Sequence, residues 1–470
     1  MTPARLRRVL IAVVALCLVA GTVWVSQRGS HATPVATGAG THTPAAFGSD
    51  DGLDATATTE PDWVGGLEST STTVTSPSGT DTASTTTGDP PTTDTTEAST
   101  TTTTRPRPPA PAPEYPDDAV SFQLNPAHTG GRDDPSLPAT PTLLWSKDIG
   151  GQAGYVLIVG NRLFEGANGL HAYNLKTGAQ IWSNDGAGGE LAYDHGHLFA
   201  WTVGNGIQAF DAATGAHQWD FQLQSSRPDI GGWGAAPPTA ANGIVYVPFG
   251  PDLAAVNESD GTLLWQAMVN WGGAVFMPAI SGYSVYAVTG CTYPFAYDTE
   301  SGANLWHTPR ECGTGESRNV PAFYDGHLYP RYYPAAGHDF VYDTSGKQVG
   351  SFWADDAPAF HGNTGYYIAG GNLEAHDLTT GALLWTKPGL GLNVTPPLAV
   401  SDRVFDVDPS GVVHAYYGAT GNEVWNYATG QSFQTTYYPG FEYAFSPLLG
   451  MTEAHGVLIV SVGTKMFAFG

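Results

Sequence analysis

The side chains best suited to bind a ligand are grouped in a few Gly- and Tyr-rich segments. Aromatic rings stand beside amides and charged groups in these segments, a mixture that suits a sugar, a peptide or a protein partner. The candidates are Arg227, Trp233, Trp271, Arg310, Arg318, Asn319, Asn393, Tyr437, Tyr438, Glu442 and Tyr443. An alternative is that these segments pack on each other and fill a channel, and the sequence leaves both interpretations open.

Recognised catalytic and metal-binding motifs are absent from the sequence. It contains no Ser-His-Asp elbow, His-Glu-x-x-His motif, Walker loop, haem motif or Ca²⁺ loop. The 14 histidines are scattered along the chain, and packing explains His171, His376 and His414 better than metal binding does. We therefore predict no catalytic residue and no metal ligand.

One sequence signature recurs along the chain from residue 172 onward. It consists of Ala, an aromatic or apolar residue, Asn or Asp, three variable residues, Gly, three further residues and Trp. In all copies but the one at Ala415, which has Tyr417 there, the Asn or Asp can bond the backbone ahead of it, and the Gly of each copy accepts a positive φ, as a tight hairpin requires. The Trp is predicted to pack between neighbouring units. Copies begin at Ala172, Ala209, Ala255, Ala296, Ala375 and Ala415, with a degenerate copy lacking Trp at Val341.

The spacing of this signature predicts an all-β fold, an eight-bladed β-propeller of four-stranded blades. The turn glycines lie 35 to 46 residues apart, a period typical of propeller blades. Besides seven complete copies, the chain has a Trp strand at Trp145 with no Ala-aromatic strand before it. It also has an Ala-aromatic strand at Phe467 with no Trp after it. We expect these N- and C-terminal strands to pair and close the ring without an open edge.

Two cysteines fall on one face of a single predicted blade. Cys291 lies in the connection between the second and third strands, and Cys312 lies in the connection that leaves the fourth strand. Both connections emerge on the same face of a four-stranded blade. In an exported protein this placement favours a structural disulfide, provided that the two Cα atoms lie within about 7 Å.

The repeat resembles the pyrroloquinoline-quinone-like (PQQ-like) β-propeller family. That family includes quinoprotein dehydrogenases, BamB-type outer-membrane assembly lipoproteins and sensor domains of bacterial receptor kinases. Residues 123–130, Q-L-N-P-A-H-T-G, resemble the lead-in segment of its members.

For a quinoprotein dehydrogenase, the resemblance implies two adjacent cysteines, a calcium site of carboxylates and an amide, and an Asp base. Cys291 and Cys312 are not adjacent, and the other residues cannot be matched position by position. No cofactor is therefore predicted. Pyrroloquinoline quinone and Ca²⁺ would be cofactors only if the protein were an active dehydrogenase, which is the alternative.

The N-terminal part predicts an export signal followed by a disordered stalk. Three arginines precede the apolar run from Val9 to Val25, which suits either an uncleaved membrane anchor with its N-terminus in the cytoplasm or a cleaved signal peptide. The Thr, Ser and Pro that follow cannot bury enough apolar surface to fold. The predicted domains are the anchor or signal (1–32), the stalk (33–113), the lead-in segment (114–136) and the propeller (137–470).

The charge of the chain after residue 113 excludes nucleic acid as a partner. With 12 basic and 33 acidic residues it carries a formal charge of −21 and repels phosphate backbones. We expect a monomeric binding or scaffold protein outside the cytoplasm, single-pass in the membrane or secreted, that binds a protein, peptide or glycan without catalysis. The alternatives are a PQQ-dependent dehydrogenase and a sensor module for a separate signalling partner.

Overall fold

In the computed structural model, the described residues form 33 β-strands in eight sheets, and none of them is helical. That part of the chain also holds no helix with the length and apolar character of a membrane span. The described residues are 115–151, 154–202, 206–222, 224, 236–269, 275–289, 294–308, 320–331, 339–389, 395–433 and 448–470.

Each sheet contains one blade of four antiparallel strands, which we name A to D from the centre of the ring outwards, and one sheet has β1 of the lead-in segment as a fifth strand. The first four blades follow one another along the chain. Blade 1 contains β3 (Leu157–Val159), β4 (Arg162–Glu165), β5 (Leu170–Asn174) and β6 (Gln180–Asn184). Blade 2 contains β7 (Leu191–Asp194), β8 (His197–Thr202), β9 (Gly206–Asp211) and β10 (His217–Phe221). Blade 3 contains β11 (Thr239–Ala241), β12 (Ile244–Phe249), β13 (Asp252–Asn257) and β14 (Leu263–Met268). Blade 4 contains β15 (Ala279–Ser281), β16 (Ser284–Val288), β17 (Pro294–Asp298) and β18 (Asn304–His307).

The next three blades repeat this order, and A strands of successive blades contact each other around the centre. Blade 5 contains β19 (Ala322–Tyr324), β20 (His327–Tyr329), β21 (Asp339–Asp343) and β22 (Gln348–Phe352). Blade 6 contains β23 (Ala359–His361), β24 (Thr364–Ala369), β25 (Asn372–Asp377) and β26 (Leu383–Lys387). Blade 7 contains β27 (Leu398–Val400), β28 (Arg403–Val407), β29 (Val412–Tyr417) and β30 (Glu423–Ala428).

The ring closes through a blade made from both ends of the propeller, as the two half-copies of the repeat predicted. In blade 8, β31 (Met451–Ala454), β32 (Val457–Val462) and β33 (Lys465–Phe469) are completed by β2 (Leu143–Asp148) as the outer strand. The β2 and β33 strands are antiparallel, with Leu143 opposite Phe469 and Asp148 opposite Lys465. The eight-bladed fold and its mode of closure are therefore confirmed.

The hydrophobic core lies between the blades because each blade is covered by a neighbour on both sides. Every residue of β32 is buried, which explains why all of its residues but Ser461 are apolar. Outer strands such as β26 instead leave most of their residues exposed or half-buried.

The repeated turn has the chemistry that the signature predicted. In blade 1 the Asn174 side chain accepts hydrogen bonds from the backbone N–H groups of Lys176 and Thr177, and Gly178 follows at a φ of 66°. The glycine also makes room for the Trp of the preceding blade. A Cβ on Gly302 would lie 2.6 Å from the Trp265 ring. Trp265 donates its indole N–H to the carbonyl of Thr299, so each Trp joins two blades as expected.

The ring has two faces that differ in their connections. The turn face carries the tight A–B and C–D turns, such as His195–Gly196 and Thr177–Gly178. The loop face carries the connections from B to C and from D to the next A strand.

Substitution of Gly302 by Ala should destabilise the propeller more than the same change at Gly381. Both glycines have a φ near 70°, so both variants carry the same backbone strain. Of the two, only Gly302 contacts a Trp of the preceding blade. Gly381 follows blade 5, whose outer strand has no Trp, and nothing lies within 4 Å of a Cβ on Gly381. Chemical denaturation should show G302A about 1–3 kcal/mol less stable than G381A. Equal losses would contradict the Trp packing.

Candidate functional site

The ligand-face residues predicted from sequence all lie outside the described residues, as do both cysteines of the expected disulfide. They therefore remain predictions. The residues are Arg227, Trp233, Trp271, Cys291, Arg310, Cys312, Arg318, Asn319, Asn393, Tyr437, Tyr438, Glu442 and Tyr443. The described strands on either side of them end at the loop face.

The lead-in segment, residues 115–136, runs along the inside of the ring on its turn-face side. Its β1 strand (Gly131–Arg132) pairs in parallel with β27, the inner strand of blade 7. Ala119 and Ile158 exchange two backbone hydrogen bonds of 2.7 and 2.9 Å with blade 1. Lead-in carbonyls accept further bonds from the backbone N–H groups of Tyr193, Ile280, Phe323, Phe360 and Ala399, which lie in blades 2, 4, 5, 6 and 7.

Two buried side chains of the lead-in segment bond to proline carbonyls at the start of inner strands. Gln123 donates from Nε2 to the carbonyls of Pro358 and Pro397, both at 3.2 Å, and so bridges blades 6 and 7. His128 Nδ1 lies 2.9 Å from the carbonyl of Pro321. Gln123 and His128 have φ angles of 50° and 57°, values unusual for residues other than glycine. This strained backbone aims the side chains at their partners.

Burial lowers the pKa of His128 to about 4, although its bond to the Pro321 carbonyl opposes the shift. The ring is therefore neutral at pH 7, and because a carbonyl can only accept, Nδ1 carries the proton.

Charged groups fasten the lead-in segment at the turn face. Arg132 donates to the carbonyl of Asp117, and the Asp118 carboxylate accepts from the backbone N–H of Gly160 and lies 2.7 Å from His455 Nε2. Glu453 is fully buried beside Asp134 and Arg132. Burial, together with the Asp134 carboxylate, raises the pKa of Glu453 to about 9 despite the opposing charge of Arg132.

The described strand ends at the loop face carry buried carboxyl groups. Glu165, Asp252, Asp339 and Asp406 are each at most 1% exposed. Burial raises the pKa of Glu165 and of Asp406 to about 7. Arg331, which donates to the carbonyl of Asp355, is a buried cation of the same face. Among these buried groups of the loop face, carboxyl groups therefore outnumber cations.

A second group of ionisable side chains lies at the turn face, where blades 2 and 3 meet. We call Asp194, His195, His197 and Glu258 the Asp194 cluster. His195 Nδ1 lies 3.3 Å from Asp194 Oδ1 and 3.0 Å from Glu258 Oε1. His197 Nδ1 lies 3.9 Å from the same Glu258 oxygen. Burial and the Asp194 carboxylate raise the pKa of Glu258 to about 7, while His195 lowers it.

Sequence reasoning missed the Asp194 cluster because its members are separated by up to 64 positions and form no motif. One signal was available. Glu258 occupies the residue after the conserved Asn or Asp of the repeat, where the other copies carry Leu, Ala, Thr or Gly.

Comparison with known protein families identifies the family to which the propeller belongs. A family model described as outer membrane protein assembly factor BamB matches residues 137–354 and 369–461. The chain belongs to this family. The match includes strands of every blade but leaves out β23, most of β24 and β33, and the PQQ-like propeller expected from the repeat is confirmed.

Curated relatives are similar over part of their length. BamB of Shewanella oneidensis is 25% identical over 261 residues, covering 50% of this chain and 65% of that protein. The tetrathionate hydrolase of Acidithiobacillus ferrooxidans is 26% identical over 241 residues, covering 44% of this chain and 47% of that protein. The chain thus spans between about half and two thirds of these two relatives.

Solved structures support the fold. BamB from Moraxella catarrhalis has 19% identity and a TM-score of 0.55, with 70% of this chain and 97% of that chain covered. Quinohemoprotein alcohol dehydrogenase from Comamonas testosteroni has 14% identity and a TM-score of 0.60, with 75% and 80% covered. At these identities the likeness concerns the fold alone.

The residues present do not fit the quinone site that the dehydrogenase resemblance implies. The sequence has no adjacent cysteines. In the channel, the Gln123 amide and the His128 Nδ1–H are already directed at proline carbonyls.

Replacing Gln123 by Met should loosen the lead-in segment, because the carbonyls of Pro358 and Pro397 would lose their buried donor. We expect a loss of about 1–3 kcal/mol in the free energy of unfolding. The control is Gln431→Met, because the Gln431 side chain bonds only to the adjacent carbonyl at an exposed site. Similar stability of the two variants would show that the Gln123 bridge is dispensable.

Stability should fall between pH 5 and pH 9 partly because of Glu453. The unfolded chain releases this proton near pH 4.5, whereas the folded chain keeps it up to about pH 9, so rising pH favours the unfolded state. Glu453→Gln should reduce the decline in the free energy of unfolding by at least about 1 kcal/mol. This is a conservative value, because a pKa difference of one corresponds to about 1.4 kcal/mol. Urea midpoints measured at both pH values test this expectation. Glu423→Gln, a control whose pKa is lowered by a hydrogen bond from Asn426, should keep the wild-type decline.

Proposed function

We propose that this protein is a non-catalytic binding or scaffold protein outside the cytoplasm, which binds its partner with the loop face of the propeller. The observation that carries the proposal is the position of the lead-in segment. It bonds to the inner strands of six blades from the turn-face side, so the ring is completed there by its own chain. The loop face is left as the surface that a partner can reach.

A protein partner is favoured over a peptide or a glycan. The family match is to an outer membrane protein assembly factor, which points to association with proteins. The formal charge of −21 after residue 113 favours a partner with basic groups. The aromatic candidates Tyr437, Tyr438 and Tyr443 would supply apolar contact area.

The N-terminal segments would hold this surface away from a membrane. Under the proposal, the apolar run Val9–Val25 anchors the chain and residues 33–113 form a spacer. At about 3.1 Å per residue, an extended Pro-rich spacer would hold the ring far from the bilayer. Cleavage after the apolar run would give a secreted form.

Cross-linking on intact membranes, with partners identified by mass spectrometry, tests the binding face. The triple variant Tyr437→Ala, Tyr438→Ala, Tyr443→Ala should lose the partner captured by the wild type. Tyr417→Ala is the matched control, because Tyr417 is a half-exposed tyrosine at a C–D turn of the turn face. If only the Tyr417→Ala variant lost the partner, the binding surface would be the turn face, which would contradict the proposal.

The enzymatic alternative has its own experiment. The similarity to quinohemoprotein alcohol dehydrogenase makes turnover of alcohols or sugars with added pyrroloquinoline quinone and Ca²⁺ the relevant assay. We expect no turnover above a quinone-only control. Saturable turnover would overturn the non-catalytic proposal.

A further inference from the structure

The Asp194 cluster is assembled from two blades on a rigid frame. Asp194 ends the inner strand of blade 2, and its Oδ2 accepts a 2.9 Å hydrogen bond from the backbone N–H of Gly243 in blade 3. Glu258 lies in the C–D turn of blade 3. Its carbonyl accepts from the Trp219 indole at 2.9 Å and its N–H donates to the Gly243 carbonyl at 3.1 Å. A hydrogen bond from the backbone of blade 3 thus fixes the Asp194 carboxylate, and two hydrogen bonds fix the main chain of Glu258.

Several polar atoms of the cluster are buried without a hydrogen-bond partner. The Asp194 side chain is 1% exposed, and its Oδ1, which points toward His195, has no such partner. Glu258 Oε2 and His197 Nδ1 are likewise buried without a hydrogen-bond partner. A buried polar atom without a partner costs about 1–3 kcal/mol, so three such atoms in one cluster of side chains indicate a missing group.

The repeat provides an internal comparison. At the end of the inner strand, where blade 2 has Asp194, no other blade has a carboxyl group. The equivalents are Val159, Ala241, Ser281, Tyr324, His361, Val400 and Ala454. At the position of Glu258, the other copies have Leu175, Ala212, Thr299, Thr344, Leu378 and Gly418. Two independent departures from the repeat therefore meet at one interface between blades.

A shared proton explains only part of this arrangement. A protonated Glu258 could donate to Asp194 Oδ1 from one oxygen, but His197 Nδ1 would still lack a partner. A divalent cation would serve the carboxylates and the imidazoles together.

We propose that the Asp194 cluster binds a divalent transition-metal ion, with Zn²⁺ the best fit, through Asp194, His195 and Glu258, and with His197 beside them. Among the described residues, these three form the one group whose ligand atoms all lie within 4.8 Å of each other. Tetrahedral Zn²⁺ ligands lie roughly 3.4 Å apart, close to the observed 3.0 and 3.3 Å separations. Mixed nitrogen and oxygen donors suit Zn²⁺ better than Ca²⁺ or Mg²⁺.

The bound ion would join the two blades to the start of the lead-in segment. The backbone N–H of His195 donates to the hydroxyl of Tyr115 at 2.8 Å, and the two rings are 6.3 Å apart. Metal binding would therefore fix the residue at which the predicted stalk meets the ring.

Calorimetric titration of the chelator-treated full-length protein with Zn²⁺ tests the site. The wild type should bind one ion per chain. Asp194→Asn and Glu258→Gln should each weaken binding by at least about 100-fold, since even residues outside the ligand shell typically cost about 10- to 100-fold. Glu374→Gln should bind like the wild type. It removes a carboxylate 2.9 Å from His376 that belongs to no three-group cluster among the described residues.

Co²⁺ provides a second readout that does not depend on the folding of a variant. The wild type with one equivalent of Co²⁺ should show the visible absorption of a four- or five-coordinate nitrogen and oxygen site, and excess Zn²⁺ should abolish it. The proposal is overturned if the wild type binds no stoichiometric Zn²⁺, or if the spectrum is that of hydrated Co²⁺. Equal affinity in the Asp194 and Glu258 variants would overturn it as well.

Discussion

The inner strand of each blade has one paired edge and one edge turned to the centre of the ring, and the rest of the structure depends on how that second edge is satisfied. Backbone N–H and C=O groups buried without partners would destabilise the fold. The lead-in segment supplies partners from Ala119 to Arg132 and reaches the inner strands of six blades. The positive φ angles of Gln123, Leu124 and His128 show how far its backbone departs from regular geometry to do so. A stretch of chain without regular secondary structure is thus part of the core.

The eight-bladed ring could be predicted from the sequence because the residues that determine each blade are close together in the chain. The turn Asn or Asp, the Gly at positive φ and the Trp lie within about a dozen residues of each other, so their recurrence predicts each hairpin. The pairing of β2 with β33 was predictable too, because each half-copy lacked what the other provides. The path of the lead-in segment was not predictable. Its contacts join residues such as Gln123 and Pro397, and no periodic pattern encodes them. The Asp194 cluster escaped for the same reason.

Because several carboxyl groups are buried, the net charge of the folded protein at pH 7 differs from the formal charge of the sequence. Glu165, Glu258 and Asp406 have pKa values raised to about 7, and that of Glu453 is raised to about 9. Part of the negative charge counted from the sequence is therefore absent from the folded protein at pH 7. The surface field that a partner meets is weaker than the composition suggests, and it grows as the pH rises.

Closure through blade 8 also governs when the protein can fold. The N–H of Gly470 donates to the carbonyl of Thr142, and the N–H of Thr142 donates to the carbonyl of Gly470. These residues are separated by almost the entire propeller, so β2 cannot pair until β33 has been synthesised. Until then its edge and the adjoining blades stay open to other strands, and contacts so distant in sequence slow folding. A fold that leaves no free edge when complete is therefore most vulnerable to aggregation just before its last strand arrives.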